Sequence, residues 1–253
     1  MSKNLGNIAV LFLQPQCNMA CSFCITRDGF QVMTETEARS IIVALEAIGV
    51  RNLIFGGGEP LCWPHNLLAT ARFAKDRGML VQVGTNGIAL TDDLLAAAEI
   101  DRFILPMESA DATIHDSLRW HFGGHYAVIK DRLEKAVDFG KQVTISTVIT
   151  RFNADGLADL AEILSVYRRR IGNLHAWHLY GLISEGRGGS LHGSELDPGR
   201  DRYYRVCLKI KAEFPELPIL MRPNMQRSAT VGFFWMDDGV VKCMSPYSPI
   251  TAK

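Results

Sequence analysis

Half of the six cysteines in this 253-residue chain, Cys17, Cys21 and Cys24, fall inside eight residues. At the chain's own Cys frequency, that pair of spacings has a chance of about 0.3%, so the grouping needs a chemical cause. Thiolates this close can converge on a metal centre. A structural zinc closes with four protein ligands, usually two C-x2-C pairs, and Cys62 and His65 are the nearest candidates for a fourth. Soft thiolates at short spacing also suit an iron–sulfur cluster, which is normally held by four cysteines. With only three, one iron keeps an open position for a small molecule. A second run, Gly56-Gly57-Gly58-Glu59-Pro60-Leu61, follows a short strand pattern. It reads either as a plain turn or as a place where glycines let backbone approach a ligand while Glu59 accepts from an ammonium group.

The C-x3-C-x2-C spacing, with aromatic Phe23 before the last Cys, resembles the signature of the radical S-adenosylmethionine (radical SAM) superfamily. The resemblance implies that Cys17, Cys21 and Cys24 bind one [4Fe–4S] cluster. It also implies that S-adenosylmethionine chelates the fourth iron and that Phe23 sits near its adenine. Gly57, Gly58, Glu59 and Pro60 match the family's Gly-Gly-Glu-Pro motif for the methionyl amine, and Asn86, at the end of the third strand, joins that site. Leu105–Arg119 is similar to the fourth-strand segment of the branch holding molybdopterin-precursor cyclase and SPASM-type peptide modifiers. There Ser-Leu-Asp-Gly is usual; here Pro106 and Glu108 replace the serine and aspartate, leaving Ser109 as the substitute carboxylate contact. Thr144–Asn153 is similar to the fifth-strand end of viperin-like nucleotide enzymes, where Ser146, Thr147 and Arg151 would face ribose or carboxylate. A buried β-branched strand with Asn153 as a helix cap explains the same residues without a ligand.

The activity the resemblance implies is reductive cleavage of S-adenosylmethionine to a 5′-deoxyadenosyl radical that takes hydrogen from a nucleotide- or sugar-like small molecule. The alternatives are an activase placing a radical on a partner protein or peptide, or a non-catalytic iron–sulfur or zinc module. An external electron donor such as flavodoxin or ferredoxin is implied. Cys243 stands as a hydrogen-atom donor, by analogy with epimerases of the family, against a packed thiol as the default. Cys62 and Cys207 read as buried packing residues, and His115 as a helix-packing residue. Ser184–Gly189, with Arg187, reads as a lid binding an anion or as a surface loop.

These residues need a scaffold. Apolar runs at 8–13, 52–55, 79–83, 103–107, 142–149 and 174–179 alternate with helical patterns, among them a capping box at Thr34–Glu37 and helices from Pro64, Thr91, Tyr126, Leu157 and Tyr203. Six successive β-α units imply an α/β fold with a parallel sheet and right-handed crossovers. Periodicity leaves an open sheet and a barrel undecided; the resemblance implies a partial (βα)6 TIM-like barrel with a short C-terminal extension. The expected division is a core barrel over 1–190 and an extension over 191–253 that covers the mouth. Ligands of parallel sheets bind outside the carboxyl ends of the strands, which is where all three motifs fall. Lys+Arg and Asp+Glu both number 27, and that balance argues against duplex nucleic acid as a partner. No apolar run reaches the ~20 residues of a membrane span, and the start lacks a signal-peptide pattern. A cytoplasmic enzyme with reduced thiols is the expectation.

Overall fold

The computed structural model describes residues 8–244. In chain order its strands are β1 (Ile8–Gln14), β2 (Ala20–Cys21), β3 (Asn52–Gly57), β4 (Leu80–Gly84), β5 (Arg102–Pro106), β6 (Arg119–Trp120), β7 (Gln142–Ile149), β8 (Leu174–Gly181), β9 (Ile219–Arg222), β10 (Val231–Asp237) and β11 (Val240–Met244). The helices are α1 (Glu35–Ala47), α2 (Leu67–Lys75), α3 (Asp92–Ala96), α4 (Ala112–Leu118), α5 (Tyr126–Asp138), α6 (Leu157–Ile171), α7 (Gly186–Leu196) and α8 (Arg200–Glu213). Nine strands form one sheet in the order β11-β10-β1-β3-β4-β5-β7-β8-β9, parallel throughout except for the β10–β11 hairpin. β2 and β6 pair apart from it.

Side-chain alternation gives the sheet two unlike faces. Leu11, Phe55, Val83 and Phe103 are register partners on successive strands, and they pack with Ile41, Ile42 and Leu45 of α1 and with apolar residues of α2, α5 and α6 in one core. Each fully buried aliphatic side chain contributes about 1.5–3 kcal/mol. The other row, including Phe12, Gln82, Ser146 and His178, lines the inner face. Helices on one face of a parallel sheet make the fold a partial (βα)6 TIM-like barrel. Its six core strands β1, β3, β4, β5, β7 and β8 are those read from sequence.

Local chemistry sets the element ends. Thr34 accepts from the Glu37 amide, and the Glu37 carboxylate takes the Thr34 amide at 2.7 Å, completing the capping box. The helix expected from Pro64 starts instead at Leu67, because Asn66 caps it by accepting from the Ala69 amide at 2.9 Å. Pro60, not Pro64, opens a helical turn, a 3-10 turn capped by Glu59. The C-terminal strands are not confined to one side. β9 pairs with β8 and β10 with β1, so residues 219–244 extend the sheet at both edges. The boundary expected at residue 190 falls inside α7. Among the described residues, no helix is long and apolar enough to cross a membrane.

Candidate active site

The carboxyl ends of β1, β3 and β4 are bound to one another, and the cysteine loop rides on that junction. The Gly58 amide donates to Gln14 O (2.7 Å), the Glu59 amide to Gln16 O (2.8 Å), and the Gln14 side chain donates back to Glu59 O (2.7 Å). Gly58 has no substitute here, since a Cβ would overlap the Pro15 and Gln16 carbonyls. Glu59 is 1% exposed. Its carboxylate accepts from the Leu61 amide (3.0 Å), the Thr85 hydroxyl (2.7 Å) and the Asn86 amide (2.8 Å). Burial pushes its pKa up against those donors. A carboxylate offers about four lone-pair positions, so one remains for a further donor.

Each of the three cysteine sulfurs faces a side-chain N–H group, and Cys17 also meets the Met19 backbone amide. Asn86 Nδ2 lies 3.7 Å from Cys17 Sγ, Arg119 Nη1 3.5 Å from Cys21 Sγ, and Arg187 Nη2 3.9 Å from Cys24 Sγ. Arg119 and the structural use of Arg187 are not legible in the motif, because both arrive from distant elements. Burial raises the Cys17 thiol, and it raises Cys21 to about 11 although the Arg119 charge pulls it down.

The Gly-rich stretch expected as a lid or surface loop is the helix α7, pressed on the cysteine loop. The Gly188 and Gly189 amides both donate to Cys24 O (3.0 and 3.2 Å), and the Arg187 amide donates to Thr26 O (3.0 Å). A Cβ at Gly188 would collide with Cys21 O and stand 2.7 Å from Cys24 N. Its glycines therefore serve close approach, not mobility. Arg187 also pairs with Asp28 (3.3 Å) rather than pointing free.

A buried polar cluster backs the loop from the β5 side. Glu108, 0% exposed, binds Arg119 Nε at 2.6 Å through one oxygen and accepts the Val148 amide at 2.7 Å through the other. The Arg119 guanidinium lies over the Phe23 ring, 4.9 Å from its centroid. The Glu108 amide donates to His115 Nδ1 (3.0 Å), His115 Nε2 meets His125 Nδ1 (2.8 Å), and His125 Nε2 meets Asn86 O (2.7 Å). One assignment satisfies every contact: both rings neutral, each donating from Nε2. Burial, helped by the Arg119 charge, lowers His115 to about 2 and His125 to about 4. The two histidines thus link the ends of β5 and β4. His115 is a buried helix residue, as expected, with a hydrogen-bonding duty that sequence did not reveal.

The remaining expected site residues differ in their surroundings. Phe23 is 7% exposed, packed with Leu118 and Leu196. Ser109 is buried, its hydroxyl accepting from the Asp111 amide (3.1 Å). Ser146 is on the inner face, within 3.5 Å of Leu105 O. Thr147 points the other way, buried between Met107 O and the Trp177 indole, so it cannot face a ligand in the barrel. Arg151 is exposed and caps α7 through Ser194 O and Asp197 O. Asn153 caps no helix with its side chain; it ties Thr150, Val148 and Glu108 together. Cys243 stands opposite Phe234 in the row of Leu11 and Phe55, packed against the helix-side core and not brought to the cysteine loop. Cys207 is buried as expected, whereas Cys62 is exposed, which corrects its reading as a packing residue.

Cys17, Cys21 and Cys24 lie close enough to feel one another's charge. Yet among the described residues no three His, Cys, Asp or Glu side chains close on a single point, as ligands about 2.3 Å from one zinc must. A multi-iron cluster takes each thiolate on a separate iron, and the donor set fits that demand. The model of the Radical SAM superfamily matches residues 11–164, well over half of the chain. The chain belongs to the radical SAM superfamily. Enzymes of this family use a [4Fe–4S] cluster and S-adenosylmethionine. The AdoMet-dependent heme synthase of Methanosarcina barkeri (strain Fusaro) is 31% identical over 68% of this radical SAM chain and 49% of its own. Mycofactocin maturase MftC of Mycobacterium ulcerans is 29% identical over 60% of this chain and 42% of its own. The radical SAM chain thus spans about half the length of these relatives. SuiB of Streptococcus suis, crystallised with S-adenosylmethionine, shares the fold at a TM-score of 0.71 and 13% identity, covering 94% of this chain and 60% of that one. SuiB bound to its precursor peptide SuiA gives a TM-score of 0.66, again at 13% identity, over 87% of this chain and 49% of that one.

Proposed function

We propose that this chain is the radical-generating barrel of an enzyme that abstracts hydrogen from a peptide. Cys17, Cys21 and Cys24 hold the cluster in this reading. The Gly57–Pro60 turn receives the methionyl amine of S-adenosylmethionine, with the remaining acceptor position of Glu59 toward it. When bound, the cluster supplies the electron that cleaves S-adenosylmethionine and releases the 5′-deoxyadenosyl radical. The protein's own task is orientation and exclusion of water. Arg119, Arg187 and Asn86 compensate charge at the three sulfurs, and α7 fixes the loop that carries them. An external electron donor such as flavodoxin or ferredoxin would reduce the cluster.

The observation that carries the reading is the hydrogen-bonded junction of the cysteine loop, the Gly58–Glu59 turn and Asn86 at neighbouring strand ends. Two things support a peptide over a small molecule: the maturase among the relatives and the fold shared with a protein crystallised on its precursor peptide. Arg151, expected to face a nucleotide, is committed to α7 instead. The test uses the anaerobically reconstituted chain, dithionite, S-adenosylmethionine and the low-molecular-mass fraction of cells grown in deuterated medium. Deuterium should enter 5′-deoxyadenosine, and protease treatment of the fraction should abolish that transfer. Transfer that survives the protease would return the substrate to the small-molecule class, and absence of 5′-deoxyadenosine would remove the radical reading altogether.

A further inference from the structure

The inner face of the sheet holds cations that no carboxylate among the described residues contacts. At the carboxyl edge, Tyr180 of β8 and Arg222 of β9 are register partners, and His178 Nδ1 lies 3.1 Å from Tyr180 Oη. The three therefore share one face. The Arg222 amide is held by Tyr203 Oη (3.1 Å), which itself donates to Leu179 O (2.8 Å), so the backbone beneath the side chain is pinned. Among the described residues the Arg222 guanidinium makes no ion pair and no hydrogen bond. Asp237, on the same face of β10, forms no ion pair with it. Deeper on the inner face lies a second cation that no carboxylate contacts, although the Asp101 charge acts on it. Arg102 is 8% exposed, held by the Gln82 and Gln142 amide oxygens at 3.2 and 3.0 Å, with Nε unpartnered. Burial, followed by the charges of Arg222, His175 and Arg102, lowers His178 to about 3. Burial raises Tyr180 to about 12. Near neutral pH the group is one fixed cation flanked by a neutral ring and an intact phenol.

A half-buried guanidinium without a counter-charge is costly, and its planar fork matches a carboxylate. The place is also right for substrate. Gly186, where α7 begins its packing on the cysteine loop, comes six positions after Tyr180, so at ~3.5 Å per residue the two lie within about 21 Å. We propose that Arg222, assisted by Tyr180 and His178, forms a subsite for a carboxylate of the substrate, a side-chain or C-terminal acid of the peptide, at the mouth of the barrel. The proposal deepens the peptide reading and rests on it.

The test is ligand-observed NMR on the full chain with three probes: N-acetylglutamate α-amide, carrying a side-chain acid; N-acetylglutamine, carrying an α-acid; and N-acetylglutaminamide, carrying neither. At least one acid probe should bind and the diamide should not; which acid binds tells side chain from C-terminus. Arg222→Gln should weaken acid binding about tenfold or more, Arg222→Lys should restore part of it, and Arg205→Gln, on the exposed face of α8, should leave it unchanged. Circular dichroism checks that each variant is folded. Equal binding of acid and diamide, no binding of either acid to the wild type, wild-type binding by Arg222→Gln, or preference for inorganic phosphate would each overturn the subsite. The parent reading is scored separately by the 5′-deoxyadenosine that the reconstituted wild-type chain forms without substrate.

Discussion

Replacing Arg119 by Met removes the one counter-charge of a carboxylate that has no route to water. Glu108 is 0% exposed, and its other oxygen is committed to the Val148 amide. Breaking a buried pair from one side costs about 3–5 kcal/mol, and the lost stacking over Phe23 adds about 0.5–1 kcal/mol. Against a total of about 5–15 kcal/mol, that is about a quarter or more of the stability. The loss should also depend on pH. Burial already raises the Glu108 pKa, with Arg119 opposing. Without Arg119 the folded pKa rises further, so the unfolded chain binds fewer protons than the folded one above its own pKa of about 4.3. Stability of the variant therefore falls as pH rises through that window, and the gap to wild type widens. Urea unfolding of the cluster-free, reduced chain at pH 5.5 and pH 8 measures both. Adding Glu108→Gln, which keeps an acceptor for Val148, should recover about 2 kcal/mol at the higher pH. A loss under about 1 kcal/mol, flat between the two pH values and unrelieved in the double variant, would refute the buried-pair argument.

Gly188→Ala should lower iron retained per chain after reconstitution, because the added methyl collides with Cys21 O and crowds Cys24 N; Leu191→Ala, on the exposed side of α7, should not, and equal iron in both would sink the clamp. His115 and His125 both have folded pKa values below the unfolded 6.5. Their contribution is complete above that value and is lost as pH falls toward 4, at up to about 1.4 kcal/mol per unit for each ring. The double change to Gln should flatten that part of the urea-midpoint profile, and an unchanged slope would contradict the neutral relay. Cys243→Ala should leave iron content and deuterium transfer intact, since the thiol packs on the helix-side core; loss of deuterated product with normal uncoupled 5′-deoxyadenosine would revive the hydrogen-donor role.

Sequence alone determined the parts whose chemistry is local. The Cys17–Cys24 spacing, the Gly57–Pro60 turn, the capping box at Thr34 and the six β-α units need only neighbours a few residues away, so pattern reveals them. Elements misread from sequence were those answering to distant partners. The glycines of α7 look like loop residues until Cys21–Cys24 is set against them, and Thr147 reads as a ligand contact until strand parity turns it toward Trp177. Tertiary structure decided the surroundings of the sulfurs. Arg119 reaches Cys21 across 98 residues and Arg187 reaches Cys24 across 163. It also sent β9 and β10 to opposite edges of the sheet. Such contacts carry no short-range signature, because a charge compensates another through space, and only the folded chain fixes which arginine lies within 4 Å of which thiol.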